Sequence, residues 1–229
     1  MRILSAAIAS IVSIASIASI ASIASIASIA SIASIAAKAS ISLLALFGAM
    51  SLLPTPAFAQ SQSYTIDPSH TYPSFEASHL GISWWRGRFS KTAGKVTMDR
   101  TAKSGTVEVQ IDAATLDFGH PKMTETTRGK DFFNVEQFPT INYKGSFSQF
   151  DGDRPTQVAG ELTLLGVTKP VALTIVSFKC ITHVVFKRDV CGADVQGEFK
   201  RTEFGMNRGV PAPEEPARLR IQVEAIRDH

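Results

Sequence analysis

Apolar and polar residues alternate along most of the chain beyond residue 60. This period of two is typical of β-strands with one buried face. In TVEVQID (106–112), for example, the valines and the isoleucine share one face and the polar residues share the other. Eight runs of this kind predict strands: Tyr72–His79, Trp85–Met98 with a bend at Gly94, Thr106–Asp112, Thr140–Phe147, Gln157–Leu164, Val171–Phe178, Ala193–Lys200 and Ala217–Ala225.

Turn-forming residues separate several of these runs. DGDRP begins at Asp151, and GVTKP begins at Gly166. The second connection is so short that its flanking strands should form a hairpin. The segment His120–Pro139 fits no strand, and it predicts a long loop or a short helix between the third and fourth strands.

The pattern therefore predicts an all-β fold, an eight-stranded antiparallel barrel. Such a barrel can be soluble, with its apolar face around a core or one small ligand, or it can sit in an outer membrane with that face toward lipid. Phe75, Phe89, Tyr143, Phe147 and Phe199 fall in mid-strand and not in two girdles at the strand ends. Together with charged residues on strand after strand, this favours the soluble barrel.

The N-terminus is of a different kind. Eight copies of the triplet SIA occupy Ser13–Ala36, followed by Lys38, an apolar core at Ile41–Leu53 and the small-x-small sequence Ala57-Phe58-Ala59. A positive flank, a short apolar core and an A-x-A site predict a cleavable secretory signal, residues 1–59, with a mature domain at 60–229. The triplet array is interpreted as an expanded repeat or the product of a misassigned start codon, and an uncleaved anchor is the alternative.

Composition narrows the choice of partners. The sequence has 23 basic and 20 acidic residues. Two of the basic residues, Arg2 and Lys38, precede the predicted cleavage site, so the mature chain is nearly neutral. With no long basic run, the sequence indicates no nucleic-acid partner. Export predicts a periplasmic location, where disulfides persist.

The two cysteines of the chain, Cys180 and Cys191, are both in the mature part. Ten residues between them suit a disulfide across a hairpin or an extended loop. The alternative is a metal site formed by the two cysteines and His183. Structural zinc sites need four closely spaced ligands, so the disulfide is favoured, and no metal or cofactor is expected.

No common catalytic motif is present in the mature chain, and the remaining candidates are single histidines. His70 follows Asp67 in DPSH, which reads as half of an acid–base pair or, more simply, as a turn. Counting by two from Phe75 places His79 on the same, inward face. An inward histidine needs a hydrogen-bond partner in the protein, a polar group of a ligand, or a metal.

Four segments carry a family resemblance: YTIDPSHTYPSFEASHLGISWWRGRFSKTAGKV, DFFNVEQFPTINYKG, GELTLLGVTKPVAL and FKRTEFGM. In this order, over Tyr64–Ala225, they resemble the YceI-like family of secreted lipid-binding proteins. The resemblance implies a lipocalin-like antiparallel barrel that holds a long apolar molecule, usually a polyisoprenoid, in its lumen.

The resemblance and the strand pattern together give a candidate lumen. Phe132 and Phe133, from the long segment, are expected to close its mouth, and Trp84 and Trp85 are expected to pack at the rim or to touch a membrane during ligand transfer. The wall is expected to consist of Phe75, His79, Phe89, Val109, Ile141, Tyr143, Leu162, Leu173, Phe199 and Ile221.

The leading functional hypothesis is a periplasmic carrier for a polyisoprenoid, a quinone or another long-chain amphiphile. Two other classes stay open: an enzyme or a redox or stress accessory that works through His79 or His183, and a module with a filled lumen that binds a partner on its surface. The sequence does not distinguish a monomer from a homodimer.

Overall fold

The computed structural model describes residues 60–209 and 216–229. The predicted signal peptide and its repeat lie outside the described residues. Within them the chain forms one α-helix, α1 (Pro121–Arg128), and two 3-10 turns at Ala113–Thr115 and Arg201–Phe204. The strands are β1 (Gln62–Ile66), β2 (Tyr72–His79), β3 (Ser83–Phe89), β4 (Thr92–Asp99), β5 (Ser104–Asp112), β6 (Leu116–Asp117), β7 (Thr140–Asp151), β8 (Arg154–Leu164), β9 (Val167–Pro170), β10 (Leu173–Thr182), β11 (Asp189–Lys200) and β12 (Pro216–Arg227).

The strands form a closed antiparallel ring. Its order is β1-β4-β5-β7-β8-β10-β11-β12, and β12 pairs with β1 to close it. Four strands lie outside this order. β2, β3 and β6 pair with one another at one end of the barrel, where β2 also pairs with β12. β9 pairs with β8. The predicted all-β, eight-stranded antiparallel barrel is thus confirmed.

Of the eight strands of the ring, β1 is the one that the sequence pattern missed. It has only five residues, of which Tyr64 and Ile66 are buried. Both β1 and β2 pair with β12, through Ile66–Ala225 and Tyr72–Gln222. The barrel therefore begins before Tyr72, and the segment between β1 and β2 is a break in one long, bent strand.

The bend predicted at Gly94 was wrong in position. The break lies between the end of β3 at Phe89 and the start of β4 at Thr92, whereas Gly94 is inside β4 and pairs with Val109. A Cβ atom at Gly94 would lie 2.3 Å from the backbone oxygen of Glu108. Glycine is therefore needed at this position because the neighbouring strand backbone is close. A glycine needed for close approach and a glycine at a bend look the same in a sequence pattern.

The predicted disulfide is confirmed, whereas the hairpin predicted at GVTKP has a shorter turn than expected. β8 pairs with β9, with Leu164 opposite Val167, so Val167–Pro170 of the expected turn form a strand. The two loop residues, Leu165 and Gly166, have φ values of 53° and 76°, as expected for a two-residue turn that matches the strand twist. Cys180 and Cys191 are direct neighbours on β10 and β11 and form a disulfide across that hairpin. Because both sulfur atoms are bonded to each other, neither is a thiolate ligand for the alternative metal site.

The long segment contains the short helix that was one of its two predicted forms. His120 caps α1, accepting a hydrogen bond from the backbone N–H of Met123 at 3.2 Å. Arg128, in the last turn, donates two hydrogen bonds to the backbone oxygen of Leu116, at 3.0 and 2.6 Å. These contacts hold α1 beside β6 and lead the chain toward the end of the barrel.

Candidate functional site

The barrel encloses an apolar lumen. A cavity of about 190 Å³ is lined by inward side chains from every strand of the ring. Of the residues predicted to form its wall or close its mouth, the following line it: Phe75, Phe89, Val109, Phe133, Ile141, Tyr143, Leu162, Leu173, Phe199 and Ile221. Contact of these residues with a ligand stays a prediction.

His79 and Phe132 are placed elsewhere. Both line a second cavity of about 280 Å³ at the end of the barrel that carries α1. His79 is exposed because β2 ends there, and its pair with Ser83 is the last of the β2–β3 hairpin. The inward-facing position predicted for His79 was therefore wrong: the period of two holds, but the strand has left the main lumen by that residue. Its ring contacts Trp85 at 5.0 Å between centroids.

Phe133 separates the two cavities. It is 6% exposed, and its ring packs against Phe75 at 5.5 Å and Phe89 at 5.6 Å between centroids. Phe75, Phe133 and Phe199 line both cavities. The long segment thus places one aromatic side chain, that of Phe133, at the end of the lumen, and the closing of the mouth stays a prediction.

The second cavity is more polar than the first. Besides aromatic side chains, its lining includes His79, Arg201 and Arg208. Arg208 forms an ion pair with Asp131, which follows α1. Arg201 and Arg208 lie outside the alternating strands and far from His79 in the sequence, so the alternation pattern gave no signal for the two arginines.

Polar groups in the main lumen are few. The Tyr143 hydroxyl donates a hydrogen bond to the backbone oxygen of Val171 at 2.9 Å, and burial raises the pKa of Tyr143 to about 12. Gly160 makes room for this side chain, since a Cβ atom there would lie 2.5 Å from the Tyr143 oxygen. Thr92, which sequence analysis did not single out, is 2% exposed, and its hydroxyl has no hydrogen-bond partner in the described part of the chain.

The His70–Asp67 pair is part of a turn, as the simpler interpretation predicted. Asp67 accepts hydrogen bonds from the backbone N–H of Ser69 at 2.8 Å and from His70 Nδ1 at 2.8 Å. Partial burial raises the pKa of Asp67, but these hydrogen bonds outweigh it and lower the pKa overall. The hydrogen bond and the charge of Asp67 raise the pKa of His70.

His183 shapes the turn between β10 and β11. Its Nδ1 accepts hydrogen bonds from the backbone N–H groups of Val185 at 3.2 Å and Phe186 at 3.4 Å. The ring stacks on Phe186 at 4.6 Å. This arrangement gives His183 a structural role, which the sequence alone left open.

The two tryptophans occupy different positions at the barrel rim. The Arg218 guanidinium lies over the Trp84 ring, 3.9 Å from its centroid, and Trp84 is 36% exposed. Trp85 lines the second cavity. Within residues 60–209 and 216–229, no helix has the length and apolar character needed to cross a bilayer.

Comparisons with known proteins identify the family. A model of the YceI-like domain matches residues 64–225. The UPF0312 protein plu2095 of Photorhabdus laumondii is 30% identical over 182 residues, which cover 79% of this chain and 94% of that protein.

Solved structures show the same fold. Burkholderia cenocepacia BcnA has a TM-score of 0.54 at 19% identity, over 69% of this chain and 98% of its own. A polyisoprenoid-binding domain from Saccharophagus degradans, implicated in plant cell wall breakdown, has a TM-score of 0.51 at 13% identity, over 73% of this chain and 99% of its own. With its barrel, its apolar lumen and a family match over most of its length, the chain belongs to the YceI-like family.

Proposed function

We propose that this protein binds and carries a polyisoprenoid, or a similar long-chain amphiphile such as a quinone or a fatty-acid derivative, in the barrel lumen. The observation that carries the proposal is the apolar cavity lined by all strands of the ring. The polyisoprenoid-binding neighbour from Saccharophagus degradans supports the same class of ligand. On this proposal the protein is a carrier and not an enzyme.

Burial of hydrocarbon suffices for useful affinity. Each buried methylene contributes about 0.8 kcal/mol, so ten carbons gain about 8 kcal/mol. Immobilising the ligand costs at least about 4 kcal/mol. Micromolar affinity corresponds to about 8 kcal/mol, so an isoprenoid that buries about fifteen carbons, with a gain of about 12 kcal/mol, reaches it without strong polar contacts.

The proposed site of action is the periplasm. The predicted signal sequence, with its cleavage site at Ala57-Phe58-Ala59, supports export. The disulfide between Cys180 and Cys191 supports it as well, because disulfides persist in oxidising compartments. The location is tested by fractionating the producing cells and sequencing the N-terminus of the mature protein, which should begin at Gln60.

The carrier function is tested by mass spectrometry of organic extracts from protein purified without detergent. We expect a stoichiometric long-chain species. Val109→Trp, which fills the lumen, should reduce the extracted ligand at least tenfold, because a buried indole occupies the space of several ligand carbons. Gln110→Trp is the matched control, since Gln110 is the next residue of β5 and is exposed.

Two outcomes would contradict the carrier function. One is an empty extract from folded, disulfide-bonded wild-type protein that also fails to take up added farnesol or ubiquinone. The other is equal ligand content in the Val109→Trp and Gln110→Trp proteins, which would place the ligand outside the lumen.

A further inference from the structure

The turn between β10 and β11 exposes apolar side chains. We define the basic tip as residues 179–188. Within it Val184 is 75% exposed and Val185 is 74% exposed, and Ile181 and Phe186 are also exposed. Apolar side chains gathered at one projecting turn are typical of an interaction site.

The basic tip has a fixed shape. The backbone N–H groups of His183 and Lys187 donate to the backbone oxygens of Arg188 and His183, at 2.8 and 2.9 Å. Nδ1 of His183 accepts hydrogen bonds from the backbone N–H groups of Val185 and Phe186. At its base the Cys180–Cys191 disulfide ties the two strands together. The turn therefore presents its valines outward without an ordering cost on binding.

The positive charge of the basic tip indicates an anionic partner. Lys179, Lys187 and Arg188 are its charged residues, and no acidic residue occurs within 179–188. Asp189, the next residue, is held by Arg227 at 3.0 Å and by the Thr182 hydroxyl at 3.0 Å. Exposed aliphatic and aromatic side chains flanked by basic residues match the surface of an anionic bilayer, which attracts lysine and arginine and accepts apolar side chains below the headgroups.

The barrel wall opens beside this tip. β8 pairs with β9 and then with β10 only as far as Leu173–Val158 and Thr174–Gln157, whereas β10 continues to Thr182 paired with β11. Ile175 and Phe178, beyond the last of those pairs, line the lumen. This seam between β8 and β10 leads from the lumen toward the basic tip.

We propose that the basic tip docks the protein on an anionic lipid bilayer and holds the seam between β8 and β10 against the lipid. The docking is independent of what the lumen holds. The use of the seam for ligand transfer rests on the proposed carrier function. In this arrangement Val184 and Val185 enter the interface while Lys179, Lys187 and Arg188 contact the headgroups.

The test is flotation of the purified mature protein with vesicles that contain no isoprenoid. We expect binding to vesicles of phosphatidylglycerol and phosphatidylcholine, weaker binding in higher salt and none to phosphatidylcholine alone. Val184→Asp/Val185→Asp should weaken binding at least tenfold, since the two side chains proposed to enter the lipid interface become charged. Lys179→Gln/Lys187→Gln should weaken binding by roughly fivefold for each charge removed.

A matched control is available at the opposite end of the barrel. Leu80 and Ile82 are 65% and 81% exposed in the β2–β3 turn, and β2 pairs with the beginning of β12, whereas β11 leaves the tip beside the end of β12. Leu80→Asp/Ile82→Asp should leave vesicle binding unchanged. All variants should keep the wild-type thermal transition, since the substituted side chains are exposed.

The proposal is overturned if wild-type protein ignores anionic vesicles, or if the Leu80/Ile82 variant loses binding while the Val184/Val185 variant keeps it. If the tip variant instead changes sedimentation in the ultracentrifuge and vesicle binding is absent, the tip is an interface between copies of the chain.

Mass spectrometry of extracts decides the carrier function separately. A ligand-loaded protein that does not float refutes docking alone. An empty protein that floats but takes up neither farnesol nor ubiquinone refutes the carrier function alone.

Discussion

Buried hydroxyl groups in the lumen wall differ in how the protein satisfies them. The Thr71 hydroxyl donates to the backbone oxygen of Glu224 at 3.2 Å and accepts from its N–H at 3.1 Å. Tyr143 donates to Val171. Thr92 is as deeply buried as Thr71, but in the described part of the chain its hydroxyl has no partner. An unpaired buried hydroxyl costs about 1–3 kcal/mol.

Thr92→Val is therefore expected to raise the free energy of unfolding of the ligand-free protein by about 1 kcal/mol, because the isosteric methyl group needs no hydrogen bond. Urea denaturation measures this change. Thr71→Val is the matched control and should lower the free energy of unfolding by about 1–2 kcal/mol, since it removes the hydroxyl that accepts from the Glu224 N–H; the Glu224 oxygen keeps its hydrogen bond from the Asp67 N–H. Destabilisation by Thr92→Val would mean that its hydroxyl has a partner, such as an ordered water.

At the scale of elements, the shape of the β10–β11 hairpin depends both on its own sequence and on how its two strands pair. Its strands alternate, and its turn is held by His183. A bulge between Ile175 and Ser177 shifts the register. Val176 and Ser177 are therefore both exposed and Phe178 lines the lumen, whereas strict alternation from Ile175 places Ser177 inside and Phe178 outside. Because the bulge arises from pairing with β11, the sequence of β10 alone does not predict it.

Replacing both cysteines, Cys180→Ala/Cys191→Ala, is expected to lower the free energy of unfolding by about 2–3 kcal/mol, since the disulfide closes a short loop in the unfolded chain. Urea denaturation with and without dithiothreitol measures the effect. The reductant should destabilise the wild-type protein by a similar amount and leave the variant unchanged. Equal stability of the oxidised and reduced wild-type protein would contradict the role of the disulfide.

At the scale of the whole molecule, the two ends of the described domain close the barrel. β1 pairs with β12, and Asp228, just beyond β12, accepts hydrogen bonds from Ser63 at 2.7 Å, Thr65 at 2.6 Å and Lys95 at 2.7 Å. These hydrogen bonds, that from Lys95 first, lower the pKa of Asp228 well below its usual range. One carboxylate therefore connects β1, β4 and the C-terminal segment.

A lowered carboxyl pKa in the folded state stabilises the fold above the unfolded-state pKa, near 4, and this stabilisation is lost as the pH falls through the folded value. The wild-type melting temperature should fall between pH 5 and pH 2. Asp228→Asn should lower it at pH 7 and flatten this part of the pH profile. Asp153→Asn, which removes an exposed ion pair with Arg100, should have little effect. Parallel pH profiles for the wild-type and Asp228→Asn proteins would contradict this role.

The sequence by itself determined the class of fold, a hairpin near Gly166, the strand-free segment His120–Pro139 and most of the lumen wall. Each depends on side-chain period or turn chemistry, which neighbouring residues decide. Only the tertiary structure decided where the long strands break, that His79 leaves the main lumen, that Thr92 is buried without a partner, and that the seam opens beside the basic tip. These features depend on which distant strands pair and on where each pairing ends. The pairings are fixed only in the closed ring, in which β1 pairs with β12.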